Sequence, residues 1–110
     1  MTEDDEKLVV RLRTIMSAHA GYSEKTMFGG RCFFVHGNMC VGPWKGSLIV
    51  RLEKSQHEQT QAEEHAHPMD MTGKVMKGWA RIAPEGIRTK RQLQQWVNRA
   101  IAYVETLPAK

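Results

Sequence analysis

Residues 25–52, KTMFGGRCFFVHGNMCVGPWKGSLIVRL, decide the fold. Gly29-Gly30, His36-Gly37-Asn38 and Gly42-Pro43-Trp44-Lys45-Gly46 punctuate short runs rich in Phe, Val, Ile, Met and Cys, the pattern of antiparallel strands joined by tight turns. In the last run Leu48, Val50 and Leu52 point one way while Ile49 and Arg51 point the other, as in a sheet with one covered face. In residues 32–35 both phases are apolar, so alternation does not choose an inner face, and the strand is placed centrally. Gly29-Gly30 lacks the Lys-Ser/Thr ending of a phosphate-binding loop and is not followed by a helix; it reads as a turn or bulge. Cys32 and Cys40 do not fall opposite each other across the His36-Gly37-Asn38 turn, so they read as buried thiols rather than a disulfide.

Outward from this region lie two amphipathic helices. On the N-terminal side Thr2 stands three residues before Asp5, and Glu3-Asp4-Asp5-Glu6 puts negative charge on a first helical turn. Leu8, Leu12, Ile15 and Met16 follow at helical spacing with Val9 beside them, which predicts a helix over residues 3–19 with Gly21 as a left-handed C-cap. On the C-terminal side Thr89 and Gln92 form a capping pair. Leu93, Trp96, Val97, Ala100, Ile101 and Val104 then make one apolar stripe, stopped by Pro108 near Leu107. Burying that stripe, at about 1.5–3 kcal/mol for each large side chain, requires a facing sheet or helix.

The intervening stretch is weaker. Ser55 and Glu58 repeat the capping spacing, but QHEQTQAEEHAH offers only alanine as apolar material, so it predicts a short, solvated helix or covering loop ended by Pro68. Residues 69–78 read as a connection with turn chemistry at Asp70, Thr72 and Gly73, and residues 79–83 as one more strand. The order is that of a single α+β domain over residues 1–110: two layers, with an antiparallel sheet of about five strands packed by N- and C-terminal amphipathic helices.

Composition agrees. The 110 residues are 41% hydrophobic and 25% charged, enough for one core and inconsistent with disorder or a disulfide scaffold. No apolar run approaches the ~20 residues needed to span a bilayer, and the acidic N-terminus is unlike a secretory signal. The expected location is the cytoplasm, with no membrane partner. The net charge of +4 is unevenly spread. Residues 66–110 hold Lys74, Lys77, Arg81, Arg88, Lys90, Arg91, Arg99 and Lys110 against Asp70, Glu85 and Glu105. Of these bases, Lys74, Lys77, Arg88, Lys90, Arg91 and Arg99 are the candidate site for acidic side chains or phosphates.

Other chemistry is poorly furnished. His57 and His65 would share a helical face beside Glu58, Glu63 and Glu64, but about two turns apart, ~12 Å on helical rise, so they cannot close on one ion. His65 and His67 could chelate only from extended chain. No Ser or Cys stands in a nucleophile-elbow context, and His36 is expected to project away from Cys32 and Cys40. No isolated pair of carboxylates suits general acid–base work. Met27, Met39, Met69, Met71 and Met76 with Trp44, Trp79 and Trp96 read as core filling, with an adaptable groove as the alternative. The expectation is a protein without catalytic residues, cofactor or metal.

Lys25-Thr26-Met27-Phe28-Gly29-Gly30, Ser47-Leu48-Ile49-Val50-Arg51-Leu52, Pro68-Met69-Asp70-Met71-Thr72-Gly73, Met76-Lys77-Gly78-Trp79 and the helix carrying Leu93, Trp96 and Ala100 resemble, in this order, the TfoX/Sxy N-terminal domain family. The similarity covers residues 24–108. It implies a two-layer α+β fold and a link to bacterial regulators of natural competence that act with a transcription activator of the cyclic-AMP receptor type. It also implies a single-domain member, without the second, helical domain of those regulators, and it brings no catalytic residue set. The resulting expectation is a regulatory or protein-binding module with a protein partner, such as a transcription regulator or a second copy of the chain, working through the exposed sheet face or the basic C-terminal surface. Direct nucleic-acid binding by the same bases is the first alternative; a small enzyme or metal protein built on the histidines is the second.

Overall fold

Two apolar helical stripes and a run of turn-punctuated strands can satisfy one another only as layers, and that is the arrangement in the computed structural model, which describes residues 3–27, 30–70 and 75–110. Helix α1 spans Glu3–Met16. Strands β1 (Tyr22–Met27), β2 (Gly30–Val35), β3 (Asn38–Trp44) and β4 (Ser47–Arg51) follow as a meander. A 3-10 turn at Lys54–Gln56 leads into the short helix α2 (His57–Gln61), then come β5 (Ala66–Asp70), β6 (Val75–Ile82), a 3-10 turn at Pro84–Gly86, and helix α3 (Lys90–Val104). The six strands form one antiparallel sheet in the order β1-β2-β3-β4-β6-β5. The predicted cap at Thr2, the turn residues Gly29, Met71, Thr72 and Gly73, and Lys74 lie outside the described residues.

The core lies between the helices and one face of the sheet. Leu8, Leu12 and Met16 of α1 and Leu93, Trp96, Val97, Ala100 and Val104 of α3 bury against Phe33, Val35, Val41, Leu48, Val50, Ala80 and Ile82. Strand β2 is interior, as expected, though second from the edge rather than at the centre. Its ambiguity is resolved by both faces being covered: Phe33 and Val35 point to the helices, while Cys32 and Phe34 join Met39, Met27 and Trp79 in a second, smaller apolar layer. Ile49 is buried too. The face away from the helices is therefore not the bare sheet surface that the sequence suggested.

A bulge adjusts the two layers. Phe33 pairs with Val41 and Phe34 with Met39, which leaves Cys40 as an extra residue in β3. Cys40 and Val41 are thereby both turned into the helix-side core. Gly42 lies next to it, where a Cβ would meet Cys32 Sγ at 2.8 Å.

Four local expectations are corrected. Helix α1 stops at Met16 rather than residue 19, and Gly21 is not left-handed; the His19 ring accepts the Gly21 N–H at 3.0 Å instead. The segment before Pro68 does hold a short, solvated helix, His57–Gln61, whose sole buried residue is Thr60. Pro68 does not end that segment but lies inside a sixth strand, β5, which pairs only with β6 and so tolerates a residue without an N–H. The last strand runs from Val75, earlier than residue 79.

Two contacts fix the ends of the sheet. At the β1 edge Glu24 accepts from Arg13 (2.9 Å to each oxygen), Tyr22 (2.9 Å) and Arg31 (3.2 Å), tying α1 to β1 and β2. The Arg13 hydrogen bonds, with those of Tyr22 and Arg31, lower the Glu24 carboxyl to about 2. At the other end Gly78 (φ +89°) donates to His57 Nδ1 at 3.1 Å and accepts from Leu52 N–H at 2.7 Å, seating α2 on β6.

A depressed carboxyl stabilises the fold above its unfolded pKa and loses that contribution as pH falls from about 4.5 to about 2. Glu24→Gln should be less stable than wild type in urea unfolding at neutral pH, with the gap closing across that acid range; a constant gap would remove Glu24 as the titrating group. Gly78→Ala should cost about 1–3 kcal/mol or more, since it forces a left-handed alanine whose Cβ would lie 2.7 Å from Leu52 O. An unchanged urea midpoint would contradict this.

Candidate functional site

The six bases singled out from the sequence do not form one patch. Lys74 lies outside the described residues. Arg99 is already engaged: it donates twice to Glu63 at 2.8 Å, and its guanidinium lies 4.5 Å from the Trp96 ring centroid. Lys77 is exposed on β6, beside a shallow groove shared with Lys54, Ser55, His57 and Glu58. Arg88, Lys90 and Arg91 do gather, because the capping box formed by Thr89 and Gln92 starts α3 immediately beside them.

The structure adds residues that sequence order hid. Arg11 of α1, 78 positions away, donates to Thr89 O at 3.3 Å. Lys7, Arg11 and Arg88 line an open groove of about 380 Å³ whose other walls include Asp4, Leu8, Gly46 and Ile87. α1 is held against this corner by Asp5, a buried residue that accepts the Gly46 N–H at 2.7 Å. The sequence marked Asp5 as a capping-spaced partner of Thr2 and a favourable first-turn charge. None of Arg11, Arg88, Lys90 and Arg91 forms an ion pair among the described residues.

The placement of Lys90 and Arg91 is informative. The first turn of α3 has no acidic residue, so two cations sit where the helix dipole favours anions. Each is unfavourable by about 0.3–1 kcal/mol at such a position. Fold stability does not account for them; an incoming anion would be doubly served, by the side chains and by the dipole.

The histidines are dispersed. Helix α2 ends at Gln61, so His57 and His65 do not share a helical face, contrary to expectation. His57 is tied to Gly78, His65 lies 3.7 Å from Glu64 in a left-handed conformation, and His67 is exposed on β5. Among the described residues no group of three His, Cys, Asp or Glu side chains is placed to hold a metal ion. Both cysteines are free and buried. Burial raises the Cys32 thiol to about 11 and the Cys40 thiol to about 12. Cys32 Sγ contacts Met27 O at 3.6 Å, whereas His36 packs edge-on to His19 at 5.7 Å between centroids. No helix of the described residues is long and apolar enough to cross a membrane.

Because the thiolate is the reactive form, both thiols should resist a disulfide reagent in the native protein at neutral pH and react fully once urea unfolds it. Rapid native labelling of either would show that the burial described here is wrong.

No curated protein matches the chain. The model of the TfoX N-terminal domain matches residues 14–104, from the last turn of α1 through α3 and thus across the whole sheet. The chain belongs to the TfoX N-terminal domain family.

Proposed function

We propose that this chain is a small, non-catalytic binding module of the bacterial cytoplasm that docks an acidic segment of a partner protein at the corner where α1 meets the start of α3. The observation that carries this reading is that Arg11 of α1 reaches the N-cap of α3, beside Arg88, Lys90 and Arg91, and that these four bases have no intramolecular ion-pair partners among the described residues. Rim charges of this kind steer association and set specificity. Family membership supports a regulatory role, in which the partner is a transcription regulator. Both thiols are held in their unreactive form, which supports a role without covalent chemistry.

The test is the double reversal Lys90→Glu/Arg91→Glu, both at exposed positions. A pull-down from the native host should lose its partner when the variant replaces wild type, while circular dichroism and the urea midpoint remain unchanged or improve, because the reversal suits the helix dipole. Equal capture by the two proteins would refute the assignment.

A further inference from the structure

We propose that the sheet face opposite the helices binds single-stranded nucleic acid, with Trp44 and Trp79 as stacking surfaces and Lys25, Lys45, Arg51 and Arg81 as phosphate contacts. The strand registers bring these residues together. Arg51 pairs with Trp79, Ile49 with Arg81, and Trp44 with Ser47, so the tryptophans flank β4 on opposite sides and at opposite ends. Strand geometry separates them by roughly 15 Å, room for a few nucleotides. Buried Ile49 of β4 lies between them, and the buried Cys32, Phe34 and Met39 of β2 and β3 continue the apolar floor beside it, with Trp79 packed against that cluster.

Charge and rings are interleaved across this face. Lys25 lies 5.2 Å from the Phe34 centroid, Lys45 5.2 Å from Trp44, and the Arg51 guanidinium 5.5 Å from Trp79. Lys25 and Lys45 are exposed, and Trp44, Trp79, Arg51 and Arg81 are half-buried. The β1, β2, β3 and β4 positions on this face among the described residues, with Trp79 and Arg81 of β6, carry no Asp or Glu. The face is cationic although its ring-bearing floor is apolar, which favours an occupant that is both polyanionic and aromatic. Single-stranded nucleic acid meets both requirements: phosphates neutralise the cations and unpaired bases stack on the rings. A duplex hides its base faces, and an acidic peptide would leave the tryptophans unused. This surface is distinct from the α1–α3 corner, and the inference does not depend on it.

The test is fluorescence anisotropy with a labelled oligothymidylate of about ten nucleotides, read at about 50 and 200 mM salt, alongside a duplex of the same length and polyglutamate as competitor. Binding should quench tryptophan emission and weaken with salt at a slope of about −2 to −3, for three to four phosphates contacted. Lys25→Glu/Lys45→Glu, at exposed positions, should weaken it about tenfold or more, and Trp44→Ala by a similar factor. Lys90→Glu/Arg91→Glu should leave it unchanged, which separates this face from the corner. The inference is overturned by no complex at the lower salt, by duplex or polyglutamate binding as tightly as the single strand, or by folded Lys25/Lys45 reversals that bind like wild type.

Discussion

The structure depends on the closure of two helical stripes over one side of the sheet. Leu12 and Met16 from the first helix, and Leu93, Val97 and Ala100 from the last, are withdrawn from water only because Phe33, Val41, Leu48 and Val50 present a continuous apolar surface to them. Neither layer could bury itself alone, so the helices at the two ends of the described chain are held in a single cooperative unit. The bulge at Cys40 serves that closure, since it turns two consecutive residues inward at the place where both helices contact β3.

The parts of the fold that were legible in the sequence are those specified by neighbours along the chain. Helix α3 announces itself through Thr89, Gln92 and the stripe after them, and the structure reproduces the capping box and buries Leu93, Trp96, Val97, Ala100 and Val104, with Ile101 partly buried. The meander of β1 to β4 follows from its turns. Strand β5 was unreadable because its identity comes from β6: Ala66, His67, Pro68 and Asp70 carry no strand signal until an edge is offered to them. The length of α2 was equally invisible, since its seat is a glycine more than a dozen residues downstream.

The same rule divides the candidate site. Net charge pointed to the C-terminal half, where Arg88, Lys90 and Arg91 stand together at the start of α3. Arg99 could not be told from them by type, yet it is spent on Glu63 and Trp96. Arg11 escaped notice because it belongs to a segment whose dominant charge is negative. Nor did composition register that Lys25, Lys45, Arg51 and Arg81 lie on one face, because they are contributed by β1, the β3–β4 turn, β4 and β6. Residue-type arithmetic over a stretch of chain measures an average, whereas recognition depends on which averages the topology superimposes.

The seat of α2 on β6 also fixes something about His57 that its residue type leaves open. With Nδ1 accepting the Gly78 amide, the neutral imidazole must carry its hydrogen on Nε2. The nitrogen left over is a donor with no lone pair to share, so a cation could be ligated there only by forcing a tautomer change that unhooks the helix from the sheet.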